Sequence, residues 1–123
     1  MVAAREATLL ACDVAAKHGV AILMLKNAHH IGRVGTYAEL AAEYGGLFTQ
    51  LYTNGTGIAP LVAPFGGVEA RLTTNPYTCG IPGVGIGGGP MVLDFATSMV
   101  ANGKVMNMAN KGQHFDSPVL IDQ

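Results

Sequence analysis

Glycine interrupts this chain at short intervals and constrains its fold more than any other residue type. The 17 glycines among 123 residues are about twice the roughly 7% of an average protein, and they follow no collagen-like period. Such a density requires many turns and close backbone approaches. Apolar runs such as residues 20–25 fall far short of the ~20 residues that a membrane span needs. We therefore expect a small domain of short elements that does not enter a membrane.

Length and charge narrow the classes of protein further. A chain of 123 residues has room for a single domain, and a hydrophobic share of 50% excludes intrinsic disorder. The net charge of -1 argues against a nucleic-acid partner and against an anionic membrane surface. Charged residues at Arg5, Glu6 and Asp13 interrupt any signal peptide, so a cytoplasmic protein is expected.

Charged side chains make up only 12% of the chain, about half of the ~25% usual for a soluble domain. A small domain exposes much of its surface and normally covers that surface with charge. Much of the surface is therefore expected to face other protein, in a tight oligomer or in the remainder of a longer polypeptide. Residues 118–123 are typical of a strand, which favours the second alternative.

The first part of the chain predicts a helix followed by a buried strand. An apolar face of helical spacing precedes Gly19, a natural C-terminal cap, and consists of Ala7, Leu10, Ala11 and Val14. The continuous apolar run of residues 20–25 is typical of a strand buried on both faces. Cys12, beside the apolar face, and Cys79, in a strand pattern, are expected to be small buried residues in a reducing compartment.

A second helix is predicted after a loop at residues 26–35. Thr36 and Glu39 have the spacing of a capping box, and Gly45 and Gly46 end the helix. Its apolar face would be Tyr37, Leu40, Ala41 and Tyr44.

Three further strands and a third helix complete the predicted elements. Strands are expected at residues 47–53, 72–81 and 91–96, and the last two would form a hairpin across the glycine-rich residues 83–89. An irregular loop would cover residues 54–67. A helix at residues 99–111, capped by Thr97 or Ser98, would carry Val105, Met108 and Ala109 on one face. The predicted class is α/β or α+β, with about three helices around a mixed sheet.

Residues 27–36 are the first candidate for binding, because they lead from a predicted strand into a helix N-terminus. Unpaired amides, the helix dipole, two glycines and Arg33 favour an anion such as a phosphate there. The alternative is structural: glycines that shape a turn, a solvated Arg33 and hydrogen-bonded histidines. The segment lacks the G-x-G-x-x-G pattern of a dinucleotide fold.

Other candidates give weaker signals. His29, His30, His114 and Asp116 lack the spacing of a metal site, so no metal is expected. Residues 83–89 lack the Lys-Ser/Thr ending of a phosphate loop, which favours a flexible hairpin. Asp94 ends a predicted strand, where it can accept ribose hydroxyls, while Thr97 and Ser98 either bind a phosphate or only cap the next helix.

Six motifs in register resemble the malate/L-lactate dehydrogenase family, which also includes hydroxycarboxylate and ureidoglycolate dehydrogenases, diketogulonate reductases and piperideine-2-carboxylate reductases. The motifs are residues 27–39, 62–67, 74–76, 80–82, 92–98 and 102–105. The segment from His30 to Arg33 is most similar to the hydroxycarboxylate dehydrogenase branch. Lys104 stands where the imine-reductase branch has Asp, which also favours the hydroxyacid branch.

The resemblance implies a non-Rossmann NAD(P)-binding fold and a homodimer that interconverts 2-hydroxy and 2-keto acids with NAD or NADP. Thr74 would touch the substrate. The residues implied to line the cofactor are His30, Val34, Gly35, Thr36, Asp94, Phe95, Ala96, Thr97, Ser98, Asn102 and Gly103.

The resemblance covers the central third of the family chain, so residues 1–123 are expected to be one cofactor-binding domain of a longer protein. The family's Ser-His pair belongs upstream of residues 27–39, and no catalytic residue is therefore assigned here. An inactive fragment is expected. The alternative function is a noncatalytic remnant that serves only as a packing or oligomerisation module.

Overall fold

A computed structural model of the chain describes residues 1–55, 60–84 and 86–121. These residues form three α-helices, α1 (Val2–His18), α2 (Gly35–Gly45) and α3 (Asn102–Asn110), a short 3-10 helix (Ile86–Gly88), and strands β1 (Thr49–Tyr52), β2 (Tyr77–Ile81) and β3 (Met91–Phe95). The strands make one sheet in the order β1-β2-β3 with antiparallel pairing. The three predicted helices are confirmed, whereas the sheet is antiparallel throughout the described residues and not mixed.

The chain divides into two compact units. Unit 1 comprises Met1–Tyr52 and Tyr77–Phe95, and unit 2 comprises Thr53–Pro76 and Ala96–Gln123. Unit 1 contains α1, α2 and the sheet. Unit 2 contains α3 and an isolated antiparallel bridge between Val62 and Leu72.

Small residues form the core of unit 1, where α1 packs on α2 and α2 packs on the sheet. The buried residues of α1 are Ala4 and Cys12, and the predicted apolar face is wrong because Leu10 and Val14 are exposed. The buried residues of α2 include Ala38, Ala41 and Ala42. Helices approach closely only when the side chains between them are small, so the face that carries Leu10 turns outward.

Helix α2 ends as predicted but begins differently. Gly46 adopts a left-handed conformation, with φ of 60°, and its amide donates to the Ala42 carbonyl at 3.1 Å. At the other end Val34 is the cap residue and no side chain of the helix itself caps the first turn. The predicted capping box of Thr36 and Glu39 is therefore wrong. Of the predicted apolar face, Tyr37 and Ala41 are buried while Tyr44 is exposed.

The face of the sheet that α2 covers is polar and tightly packed. Thr78 and Gly80 of β2 are buried, Thr78 pairs directly with Asp94 of β3, and Gly80 pairs with Thr49 of β1. A side chain at Gly80 would place its Cβ 2.8 Å from the Ala38 Cβ. Glycine is required here because only its bare backbone lets α2 lie this close to β2.

Three predicted strands differ from the structure. Residues 20–25 form no strand, and Ile22 is 97% exposed. A strand buried on both faces needs partners on its edges and faces, and no described residue pairs with this segment. β2 begins only at Tyr77 because Pro76 has no N–H and Asn75 has a φ of 38°. Residues 118–121 are not a strand, and residues 122–123 lie outside the described residues.

The remaining predictions for unit 2 are confirmed in part. The predicted cap at Thr97 or Ser98 is wrong, because α3 begins at Asn102 and its cap residue is Ala101, which has no polar side chain. The Ser98 hydroxyl instead donates to the Val100 carbonyl and the Thr97 hydroxyl to the Thr74 carbonyl. Val105 and Met108 are half-buried and Ala109 is exposed.

Some predictions fall on the gaps in the described residues. The loop at residues 54–67 and the glycine-rich hairpin connection at residues 83–89 lie partly outside the described residues. The antiparallel pairing of β2 with β3 confirms the hairpin. No helix in the described part of the chain has the length and apolar character that crossing a membrane requires.

Candidate functional site

Asp94, at the end of β3, is the centre of a polar cluster in unit 1. Its Oδ2 accepts a hydrogen bond from the Gly35 amide at 2.8 Å, and its Oδ1 accepts one from the Thr78 hydroxyl at 2.6 Å. Gly35 is the first residue of α2, whose leading amides have no acceptor within the helix. A carboxylate from 59 residues away therefore takes the place of the local cap that the sequence predicts.

Arg33 bridges the two carboxylates of this cluster. Its Nη1 and Nη2 donate to Glu39 at 2.9 Å and 2.8 Å, and its Nε lies 3.6 Å from Asp94 Oδ2. These hydrogen bonds lower the pKa of Glu39 below its ordinary value of 4.5, and Glu39 raises the pKa of the Arg33 guanidinium. Arg33 is therefore paired and not simply solvated, because both of its terminal nitrogens are bound to Glu39.

The loop before α2 is fixed at three points along its length. The Tyr37 hydroxyl donates to the Ile31 carbonyl, Arg33 pairs with Glu39, and Gly35 binds Asp94. Beside the loop, an open cleft of about 400 Å³ lies between the first turn of α1 and α2. Its lining includes Arg5, Arg33, Thr36, Tyr37, Glu39 and Leu40.

The cofactor-lining residues expected in unit 1 fall into two groups. Val34 and Gly35 are buried, whereas His30 and Thr36 are exposed on either side of them. Asp94 and Phe95 point to opposite faces of the sheet, because side chains alternate along a strand. Asp94 faces α2, and Phe95 is 46% exposed on the outer face.

The expected residues of unit 2 include one close pair. The Thr97 amide donates to the Thr74 carbonyl at 2.9 Å, and the Thr97 hydroxyl donates to the same oxygen at 3.1 Å. The structure thus brings the expected substrate residue against one expected cofactor residue. The others in this unit are Ala96 and Ser98, both half-buried, and Asn102 and Gly103, both exposed in the first turn of α3.

Sequence reasoning missed Thr78, which is completely buried beneath the cluster. Its role follows from the hairpin register, which sets Thr78 directly opposite Asp94. A predicted hairpin with a known register identifies this pair, but the glycine-rich connection gives no fixed loop length from which to count.

Neither metal binding nor cysteine chemistry gains support from the described residues. His29, His30, His114 and Asp116 are exposed, and no group of three His, Cys, Asp or Glu side chains within residues 1–55, 60–84 and 86–121 is close enough to share an ion. Both cysteines are free. Cys12 is buried as predicted and Cys79 is half-buried, and burial raises the pKa of the Cys12 thiol and keeps it protonated.

Comparison with known proteins identifies the family. The model of the malate/L-lactate dehydrogenase family matches residues 1–123. The chain belongs to this family.

Individual relatives agree with the family match. An L-lactate dehydrogenase of Cupriavidus necator is 45% identical over 97 residues, 79% of this chain and 27% of the relative. Hydroxycarboxylate dehydrogenase B of Escherichia coli K12 is 40% identical over 121 residues, 98% of this chain and 32% of the relative. The crystal structure of malate dehydrogenase from Entamoeba histolytica superposes with a TM-score of 0.77 and 30% identity, over 94% of this chain and 30% of that one. The chain spans about a third of the length of the relatives it matches.

Proposed function

We propose that this chain supplies the cofactor-binding part of an NAD(P)-dependent oxidoreductase that interconverts 2-hydroxy acids and 2-keto acids. The family match over the whole chain supports the reaction class. The observation that carries the site is the 2.8 Å hydrogen bond between Gly35 and Asp94. It joins two segments, far apart in sequence, that both belong to the set expected to line the cofactor.

The residues present fit the ribose and amide groups of a nicotinamide dinucleotide better than its pyrophosphate. Exposed His30 and Thr36 in unit 1 offer hydrogen-bonding side chains of the kind that bind ribose hydroxyls and amides. One guanidinium against two carboxylates leaves the Arg33 cluster with no surplus positive charge for a pyrophosphate. Bound at this chain, NAD or NADP would supply the hydride that is exchanged with the hydroxy acid.

Each unit carries part of the residue set that the resemblance implies for the cofactor. Unit 1 would contribute His30, Thr36 and the backbone from Val34 to Gly35. Unit 2 would contribute Ala96, Thr97, Ser98, Asn102 and Gly103, with Thr74 toward the substrate. In unit 2 the two bonds from Thr97 to the Thr74 carbonyl hold the backbone at Thr74 in one orientation. Such orientation of a substrate-contacting residue is what hydride transfer to a carbonyl requires.

A proton donor beside the substrate carbonyl is assigned to no residue of this chain. General acid catalysis contributes about 10²- to 10⁴-fold to reactions of this kind, and the expected Ser-His pair lies in a part of the family chain that precedes this segment. We therefore propose that the chain alone does not reduce pyruvate, oxaloacetate or glyoxylate with NADH or NADPH. The cytoplasmic location and the homodimer expected from the sequence belong to the same proposal.

A chimera tests this function. The matched 121-residue segment of hydroxycarboxylate dehydrogenase B from E. coli is replaced by this chain, and oxidation of NADH and NADPH is followed with 2-keto acids. We expect turnover by the chimera, with the unaltered E. coli enzyme as control, and none by the isolated chain. A chimera that folds and keeps its oligomeric state but binds neither cofactor would contradict the proposal and favour a packing module.

A further inference from the structure

We infer that Asp94 is a positioning residue, which holds the loop at residues 31–35 against the end of β3 and does not itself bind the cofactor. The inference rests on the proposed function and deepens it. It divides the expected cofactor-lining set into residues that touch the cofactor and residues that fix the surface on which it lies.

Both oxygens of the Asp94 carboxylate are already engaged within the protein. Oδ2 accepts from the Gly35 amide and Oδ1 accepts from the Thr78 hydroxyl, and the Arg33 guanidinium lies on the Oδ2 side. Hydrogen bonds to a charged acceptor are roughly twice as strong as neutral ones. The side chain is only 19% exposed, so a ribose hydroxyl has little access to the lone pairs that these partners leave free.

The absence of a side chain at Gly35 serves this contact. A Cβ at Gly35 would lie 2.6 Å from Asp94 Oδ2 and 2.9 Å from Arg33 Nη2. Glycine thus gives the carboxylate room to reach the first amide of α2. The same amide is occupied by Asp94, and a cofactor phosphate would therefore have to bind elsewhere.

The hydrogen bond between Gly35 and Asp94, the tether, acts on a loop that is held at few other points. Tyr37 and Glu39 reach back from α2 to Ile31 and Arg33, but both of these contacts lie within the segment of residues 31–39. The hydrogen bond from Gly35 to Asp94 joins the segment to the sheet, and the Arg33 guanidinium lies beside the same carboxylate. Without it, the loop that carries exposed His30 loses its hydrogen bond to β3.

A cycle of substitutions in the 123-residue chain tests the tether without any cofactor. Asp94→Ala, Gly35→Ala and the double variant are compared by urea unfolding. Because Gly35→Ala acts by displacing the carboxylate, it should destabilise the chain clearly in the natural background and have little further effect once Asp94 is alanine. If the losses of stability in the two single variants simply add in the double variant, the two residues do not act through one contact and the inference is wrong.

The chimera with hydroxycarboxylate dehydrogenase B tests the positioning role. Asp94→Ala should raise the KM for NADH or NADPH about tenfold or more and change kcat less than about threefold, because weakened cofactor binding acts on KM. Thr78→Val, which alters only a buried partner of Asp94, should raise KM in the same direction. Thr49→Val is the matched control: it lies on the same sheet face, and its buried hydroxyl has no hydrogen-bond partner within the described residues.

The outcomes separate the alternatives. If Asp94→Ala raises KM while Thr78→Val and Gly35→Ala leave it within about twofold of the chimera, Asp94 binds the cofactor directly and the inference is wrong. No change from any of the three also overturns it. A folded chimera that is inactive without substitutions contradicts the proposed function, and the unfolding cycle then decides whether the tether exists.

Discussion

The two faces of the three-stranded sheet reverse the usual relation between hydrophobicity and burial. The inner face, under α2, buries Thr78, Gly80 and most of Asp94. The outer face exposes Tyr52, Leu93 and Phe95, which are 76%, 53% and 46% accessible. Small and polar residues are buried because they allow α2 to approach the sheet and satisfy its first amide. Large apolar residues are exposed because no described residue of unit 1 covers them.

The outer face is nevertheless ordered by contacts among its own side chains. Tyr77 lies between Tyr52 and Phe95, with ring centroids 5.2 Å and 5.8 Å apart and tilted or edge-on geometry. Cross-strand aromatic pairs stabilise a sheet even where it is wet. Hydropathy alone therefore does not predict which face of this sheet is buried. Side-chain size decides which face a helix can cover.

The largest expected effect follows from filling the inner face. Gly80→Val would force a side chain into the space occupied by Ala38 and Thr49, and overpacking of this kind costs about 2–3 kcal/mol. Cys79→Val, at the adjacent residue but on the outer face, should change the free energy of unfolding by less than about 0.5 kcal/mol. Urea unfolding of the two variants measures the difference. Equal stability of the two would show that α2 does not lie against β2.

A second effect concerns the exposed apolar side chains of the outer face. We expect the isolated chain to self-associate through them. Replacing Leu93 and Phe95 together by lysine should weaken association at least about tenfold, or ~1.4 kcal/mol. Sedimentation and binding of an apolar dye provide the measurements. A monomeric natural chain that binds no dye would contradict the role given to this face.

A smaller effect is expected at the one inner-face hydroxyl that the described residues leave without a partner. Thr49→Val removes the buried Oγ1 of Thr49 and keeps the shape of the side chain. Replacing an unsatisfied polar group by an apolar one stabilises a protein by about 0.5–1 kcal/mol. Thr78→Val, whose hydroxyl is bonded to Asp94, should instead destabilise. A Thr78→Val variant that is as stable as the natural chain, or more stable, would mean that the Asp94 contact contributes nothing.

The smallest effect is the pH dependence of the Arg33–Glu39 pair. Because Arg33 lowers the pKa of Glu39 below 4.5, ionised Glu39 stabilises the fold above its ordinary pKa, and this contribution is lost as the pH falls through the lowered value. The stability difference between the natural chain and Glu39→Gln should therefore shrink between about pH 5.5 and 3. The pair is exposed, so the difference is small at any pH. A difference that grows on acidification would contradict the pKa shift.

Local signals in the sequence predicted where the helices end better than they predicted which distant residues contact each element. Gly19 and Gly46 ended both helices as expected because a left-handed cap depends on one residue. The capping box at Thr36 was wrong because the helix already begins at Gly35, so Thr36 lies inside the first turn, and the Glu39 carboxylate is bonded to Arg33. Residues 20–25 have the composition of a buried strand, but strand formation requires edge partners that composition does not supply.

In the candidate site, too, the sequence identified residues but not the contacts between them. Motif resemblance brought out Gly35 and Asp94 as members of one functional set, and the structure places them in contact. Their relation to each other, and the buried Thr78 behind them, depend on the pairing register of β2 with β3. That register is a property of the folded hairpin, and no single residue encodes it.

The hydrogen exchange rate of the Gly35 amide, measured by NMR, reports directly on its hydrogen bond to Asp94. We expect this amide to be protected by about 2–3 kcal/mol of local opening free energy, although it belongs to the first residue of a helix. Asp94→Ala should abolish the protection and Thr49→Val should preserve it. Exchange at the rate of an unstructured peptide in the natural chain, or protection that survives Asp94→Ala, would contradict the role given to this hydrogen bond.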